Sequence, residues 1–294
     1  MEKFYQFGDT VIKICSEKEI EVPKNMEIFE IEAREQAYEY FIENVDGLEA
    51  TATKFKEENT DCRRVERENV KIFYTEDQEM REIYFMGNEI PYAVTIEDQK
   101  KTRILVTSDI LSMLSIDTVF GSLLSLEKRV LPDQAFILHS AFICRDGKAI
   151  LFTAPSGTGK STQADLWNRY RGTRTINGDR SLIMRKDQKW WAYGWPICGS
   201  SEICFNESFP IEAIIVLHQA PENEVHRIHG FDVVRNLLRE TTVNRWNLRF
   251  YDQVIELLEK LEREVAVYDY SCNISEAAVE ILDRKLNEES SLSI

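Results

Sequence analysis

Two kinds of apolar pattern run along this chain. In the first 125 residues they are short: Val70–Tyr74, Glu82–Met86, Tyr92–Ile96 and Arg103–Thr107 are β-branched or aromatic runs separated by turn-like segments such as Met86-Gly87-Asn88. That alternation of strand and turn composition predicts an antiparallel meander. A helical pattern follows, with Asp117 as N-cap, Val119, Phe120, Leu123, Leu124 and Leu126 largely on one face, and Pro132 as its end.

Beyond Pro132 strands and helices alternate. Phe136–Cys144 and Ala149–Thr153 flank Asp146-Gly147, a dipeptide that accepts positive φ in tight hairpins. Ser161–Tyr170 predicts a helix, followed by one strand containing Thr175–Ile183, another near Trp190–Tyr193, and the continuous apolar run Ile211–Leu217, suited to a buried strand. From Tyr251, apolar residues at Val254, Ile255, Leu258 and Leu261 define a helical face; the strand Val265–Tyr270 and a helix from about Ser275 complete the chain. No internal repeat or low-complexity block interrupts the pattern. The expected class is α/β with α+β character, in two domains: residues 1–125, a β-rich accessory domain suited to substrate recognition, and residues 126–294, in which strands and helices alternate. A chain of 294 residues exceeds the usual size of a single core.

Composition narrows the chemistry. A formal net charge of −15, without a compensating basic patch, argues against a nucleic-acid partner. Arg169, Arg171, Arg174, Arg180 and Arg185 do cluster; they suit either an anionic ligand or a solvated face. Six cysteines and four histidines lack zinc-site spacing. No stretch is apolar enough for a membrane span and the N-terminus has no signal-peptide character, so a cytoplasmic protein with reduced thiols is expected.

Seven of the twelve glycines lie between Gly147 and Gly199, which places the sharp backbone bends, and with them the expected chemistry, in that stretch. Within it, Ala154-Pro155-Ser156-Gly157-Thr158-Gly159-Lys160-Ser161-Thr162 stands between a predicted strand and a predicted helix. Such a loop turns consecutive backbone N–H groups toward phosphate oxygens, aided by the positive end of the helix. Ser156, Gly157, Thr158, Gly159, Lys160, Ser161 and Thr162 are the expected phosphate contacts. Lys160 would reach the β- and γ-phosphates, and Ser161 would face Mg²⁺. The first position of the usual G-x-x-x-x-G-K-[ST] pattern is Ala154 rather than glycine; the alternative is a glycine-rich turn capping an ordinary helix. Asp179, in Ile176-Asn177-Gly178-Asp179-Arg180, is the candidate for a metal-holding or proton-accepting carboxylate, or else the residue that makes an Asx-type turn.

Leu138-His139-Ser140-Ala141-Phe142, Gly147-Lys148-Ala149-Ile150-Leu151-Phe152, the phosphate loop and Asn177-Gly178-Asp179 occur in an order that resembles the C-terminal domain of HPr serine kinase/phosphorylase, whose phosphate loop is similar to that of phosphoenolpyruvate carboxykinases. The resemblance covers roughly residues 136–285; residues 1–125 do not look like the N-terminal domain of the bacterial enzymes. It implies a P-loop kinase domain using ATP and Mg²⁺. His139 maps onto an active-site histidine, whereas on residues alone a satisfied core histidine on a strand is the favoured reading. Lys160 and Ser161 map onto the family's phosphate-loop pair. The family's adjacent Asp pair maps onto Asp179 and Arg180, so one carboxylate is lost and the reverse, phosphorolytic reaction is in doubt. Trp195–Glu202 and Asn206 resemble a site-closing segment, with Glu202 as candidate second metal ligand or, alternatively, a surface residue.

The implied activity is transfer of phosphate from ATP to a hydroxyl on a peptide or protein serine or a small metabolite, with Asp179 or His139 as proton acceptor and Arg180 stabilising the moving charge. The competing expectation is an ATP-binding regulatory protein without phosphotransfer. Carboxykinase chemistry would need a metal-ligating Lys/His set and a substrate Arg that cannot be placed. Acceptor identity and oligomeric state, a homo-oligomer included, are left open.

Overall fold

A computed structural model describes residues 1–35 and 37–292, the side chains of residues 200 and 290–292 excepted. The chain forms two compact units, Met1–Arg129 and Val130–Ile294, each a mixed α/β arrangement built on its own sheet.

In the first unit the strands are β1 (Glu2–Phe7), β2 (Thr10–Ser16), β3 (Glu30–Ile31), β4 (Tyr38–Asn44), β5 (Arg63–Arg67), β6 (Val70–Tyr74), β7 (Glu79–Ile83), β8 (Ala93–Glu97) and β9 (Lys101–Val106), in the order β3-β1-β2-β4-β9-β8-β7-β6-β5. The expected meander is present as β6 to β9, antiparallel throughout. It joins the N-terminal strands through parallel β2–β4 and β4–β9 pairs. One expected strand is corrected: β7 covers Glu79–Ile83 rather than 82–86. Its charged residues are buried instead of alternating with apolar ones. Arg81 bonds Glu79 at 2.6 Å and Glu127 at 3.3 Å, while Lys128 reaches Glu79 and Glu97. Phe85 leaves the strand to stack on Tyr92, with ring centroids 4.2 Å apart.

Short helices α1 (Lys24–Glu27), α2 (Glu49–Glu58) and α3 (Ser108–Leu111) accompany the sheet. The helix expected from Asp117 to Pro132 is broken: α4 (Asp117–Leu124) and α5 (Leu126–Val130) are separated by Ser125 in a left-handed conformation. The Tyr40 hydroxyl donates to the Leu124 carbonyl at 2.6 Å, giving that carbonyl a partner outside the helix. Ile116, not Asp117, occupies the N-cap position, without a side-chain cap.

The second unit comprises β10 (Ala135–Arg145), β11 (Lys148–Thr153), α6 (Lys160–Arg171), β12 (Arg174–Asn177), β13 (Arg180–Lys186), β14 (Lys189–Tyr193), β15 (Ser208–Gln219), β16 (Glu224–Ile228), α7 (Phe231–Glu240), α8 (Leu248–Glu264), β17 (Ala266–Cys272) and α9 (Glu276–Leu292). Asp146 and Gly147 both take positive φ in the β10–β11 turn. Along β15, Ile214 and Val216 pack with α7 and α8, while Ala213, Ile215 and Leu217 pack with α6 and α9. The sheet is therefore buried on both faces, which explains the unbroken apolar run.

Two strands bend to serve two sets of partners. β10 pairs with β13 through Ala135–His139 and with β11 from Ser140 onward; β15 pairs first with β14 and then with parallel β11 and β17. The single strand expected over Thr175–Ile183 is corrected to two, β12 and β13, which meet different halves of β10. The corner between them is Gly178-Asp179. No described helix is long and apolar enough to cross a membrane, and all six cysteines are free thiols.

Candidate functional site

The phosphate loop runs from the end of β11 into the N-terminus of α6. Gly157 and Gly159 take φ of +80° and +104°, and a Cβ at either would meet nothing within 4 Å. Glycine is therefore required by the backbone, while the space before the loop is open. Lys160, only 6% exposed, folds back so that its ammonium donates to the Ala154 carbonyl at 2.8 Å and to that of Pro155 at 3.4 Å. Burial pushes its pKa down, opposed by the negative charges of Glu240 and Asp179. A cavity of about 590 Å³ opens beside the loop, lined by Gly157, Thr162, Gln163, Gln219, Asn273 and Ile274 among others.

The corner that presents Asp179 is fixed by its neighbours. The Asn177 carbonyl Oδ1 accepts from the backbone N–H groups of Asp179 and Arg180, both at 2.9 Å, and its Nδ2 donates to the Trp195 carbonyl at 2.6 Å. The Asx-type turn thus belongs to Asn177, which leaves the Asp179 carboxylate available for other contacts. A Cβ on Gly178 would lie 2.0 Å from Ser201 Oγ, and one on Gly199 would lie 3.1 Å from the Asp179 carboxyl carbon. The 195–204 segment consequently packs directly on this corner. Ser161 Oγ lies 3.5 Å from the Gly178 carbonyl, joining the corner to the start of α6.

His139 stands where β10 changes partners, and its imidazole lies between two carboxylates. Nε2 is 3.3 Å from Asp179 Oδ1, and Nδ1 is 3.0 Å from Glu240 Oε2. Two N–H donors on the ring would satisfy both carboxylates at once; a singly protonated ring satisfies one. The backbone of His139 is held by the Thr153 hydroxyl, which donates to its carbonyl at 2.9 Å. Arg180 Nε approaches Asp179 Oδ2 at 3.4 Å, and its guanidinium also donates to Thr242 Oγ1 at 3.1 Å. The His139 hydrogen bond, then the positive charges of Arg180 and Lys160, hold the Asp179 carboxyl below the usual carboxylate range against the opposing effect of burial.

Asp179, His139, Arg180 and Lys160 are therefore electrostatic neighbours. The rest of the arginine cluster disperses: Arg171 pairs with Asp283, Arg174 with Glu207 and Arg185 with Glu264, while Arg169 lies over the Tyr170 ring. Glu202 is exposed at the end of the short turn Gly199–Ser201. Among the described residues no group of three or more His, Cys, Asp or Glu side chains is arranged to hold a metal. Glu240 is absent from the sequence expectations although it completes the His139 contacts. Its helix was not among the expected elements either, although the spacing of Val233, Val234, Leu237 and Leu238 carries a helical signal, and no motif marks the carboxylate at its end.

The family model described as "SynChlorMet cassette protein ScmC" matches residues 106–280, more than half of the chain. The chain belongs to that family. A search of curated proteins finds no match. Among solved structures, the HPr(Ser) kinase/phosphatase from Coxiella burnetii is similar at 12% identity and a TM-score of 0.33, over 53% of this chain and 96% of that one.

Proposed function

We propose that residues 130–294 form a nucleotide-dependent phosphotransferase acting on a hydroxyl, on a peptide or protein serine or a small metabolite. The observation that carries this reading is the Asp179–His139–Glu240 chain standing within electrostatic reach of the phosphate-loop lysine. A binding loop alone needs no such arrangement, whereas transfer to a hydroxyl needs a base beside the phosphate site.

The loop fits ATP on two counts: open space before the positive-φ glycines, and a buried ammonium hydrogen-bonded to loop carbonyls. A bound triphosphate with Mg²⁺ supplies the phosphoryl group and the cation that neutralises its charge. Backbone N–H groups of the loop and Lys160 would hold phosphate oxygens, with Ser161, Thr162 and the α6 N-terminus completing the cradle. The cavity lined by Gln163, Gln219 and Asn273 would receive the nucleoside. Ser161 and Asp179 are the proposed metal-facing pair, with Glu202 as an outer ligand. Asp179 takes the acceptor's proton, His139 fixes the orientation of that carboxylate, and Arg180 offsets charge on the moving phosphoryl group. Residues 1–129 are proposed to serve acceptor recognition, and the setting is proposed to be cytoplasmic.

Incubating the full chain with γ-labelled ATP and fractionated lysate tests this proposal. Label should enter an acceptor, and Asp179→Asn should lower single-turnover transfer by at least about a hundredfold while ATP affinity changes by less than about fivefold. ATP binding with no label transferred to any acceptor fraction would favour the regulatory reading.

A further inference from the structure

Helix α7 carries two adjacent apolar stripes. Val233 and Leu237 are buried in the core, whereas Val234 and Leu238, one position on, are only partly buried. α8 repeats the arrangement, with Val254 and Leu258 inside and Tyr251 and Ile255 partly buried. The second stripes face a groove of about 710 Å³ between the two helices, with Phe231, 76% exposed, also lining it.

The charge around this floor runs against that of the molecule. Arg235, Arg239, Arg245 and Arg263 line the groove against two carboxylates, Glu259 and Glu262, in a chain whose net charge is −15. Arg235 is paired with Asp232 at 2.8 Å. Glu262 accepts from the Gly230 N–H at 2.7 Å and lies 3.9 Å from His229. Among the described residues, the side chains of Arg239, Arg245 and Arg263 have no hydrogen bond or ion pair within the protein. Helix-end electrostatics accounts for an arginine in the last turn of α7 or α8, but not for Arg245 between them, nor for the apolar floor they surround. An apolar channel edged by guanidiniums with unused donors suits a carboxylate-rich segment with aliphatic or aromatic anchors. The two carboxylates in the lining and the apolar floor disfavour a polyanionic nucleic-acid backbone.

We infer that the α7–α8 groove docks an acidic peptide segment with apolar anchors, belonging to the macromolecule that carries the acceptor hydroxyl. The last clause rests on the phosphotransferase reading; the docking itself does not. The same helix ends in Glu240, which holds His139, so a segment lying along α7 is bound on the element that helps build the proposed site. α7 is ten residues, about 15 Å of helix, enough for roughly three turns of a bound helix or about five extended residues.

The test titrates the full chain against a fluorescein-labelled peptide of about twelve residues, Glu and Asp interspersed with Leu and Phe at helical spacing, beside a control with every acid replaced by Lys. The acidic peptide should bind, and more weakly as salt rises from about 50 to 500 mM. Arg239→Glu combined with Arg263→Glu should weaken it at least about tenfold, and Phe231→Ser about threefold or more. All of these side chains are exposed, and both variants should keep the parent's melting temperature and ATP affinity. Equal binding of the Lys peptide, indifference to the arginine reversal, or self-association abolished by Phe231→Ser would overturn the inference, the last by assigning the groove to a second copy of the chain. Peptide docking with no label transferred from γ-labelled ATP to any lysate acceptor would sink the activity reading and spare the groove; transfer to a lysate acceptor without peptide docking would do the reverse.

Discussion

Replacing His139 by alanine removes the one group that contacts both carboxylates of the site. The two contacts, 3.3 Å to Asp179 and 3.0 Å to Glu240, involve side chains that retain 20%, 28% and 12% exposure. At an effective dielectric of about 20, a full unit charge pair at such separations would be worth about 5–5.5 kcal/mol, an upper bound; partial exposure, screening and the hydrogen-bond character of the contacts reduce what a deletion reports to about 1–2 kcal/mol for each. The fold should therefore survive, with a melting temperature lower by several degrees. The larger effect is chemical. The Asp179 carboxyl is held below its ordinary pKa first by the His139 hydrogen bond, with Arg180 and Lys160 contributing and burial opposing. A carboxyl depressed in the folded state stabilises the protein above the unfolded value, about 3.9, and loses that contribution as pH falls through the folded value. Deleting His139 must move the folded value upward, so the acid limb of phosphoryl transfer shifts to higher pH.

Loss of a group that orients a base should lower transfer by about 10- to 100-fold at neutral pH. His139→Gln retains a hydrogen-bond donor and should recover part of that loss and part of the acid-limb shift, since the hydrogen bond is the first cause of the depressed Asp179 value. The assay is single-turnover transfer from γ-labelled ATP from about pH 3 to 8, with melting curves and ATP affinity measured on the same preparations. An acid limb that stays in place, together with turnover within about threefold of the parent, would refute the positioning role and leave His139 a satisfied strand histidine.

Lys160→Met should abolish transfer and weaken triphosphate binding by at least about tenfold, with little change in melting temperature because the deleted ammonium is desolvated and bonded only to loop carbonyls; wild-type turnover would dismiss the phosphate-loop assignment. Gly178→Ala should destabilise the protein by about 1–3 kcal/mol in denaturant titration, because its Cβ would meet Ser201 Oγ at 2.0 Å and Cβ at 2.4 Å. Adding Ser201→Gly should recover most of that loss, and failure to do so would mean that another contact fixes the corner.

How much of this was legible in the chain depended on how local each signal is. The phosphate loop needs a strand, positive-φ glycines, a lysine and a helix start within a dozen residues, and all of these follow from side-chain size and spacing. Asp146-Gly147, Gly157, Gly159 and the α6 periodicity could be read for that reason. Strand β7 could not, since its buried Glu79 and Arg81 are stabilised by Glu127 and Lys128 from a segment more than forty residues away. Propensity sees the charge and not the partner. The division of Thr175–Ile183 into β12 and β13 was likewise hidden, because it is imposed by the bend in β10 and by Asn177 gathering two backbone N–H groups.

Glu240 marks the limit of such reading. It lies 101 residues from His139 in sequence, on a helix that was not among the expected elements, and nothing local distinguishes it from any glutamate closing a surface helix. A carboxylate in the last turn is unfavourable to the helix dipole, and that local misfit is the available clue. The misfit is offset once the side chain meets the imidazole, and the neighbouring Thr242 does the same for Arg180 by accepting its guanidinium. One helix end thus holds both His139 and Arg180, the two side chains that contact the Asp179 carboxylate. It follows that substitutions at Glu240 and Thr242 should act on transfer through Asp179 and be non-additive with Asp179→Asn, as expected for residues sharing one network. An additive result would mean that the helix end and the carboxylate serve separate tasks.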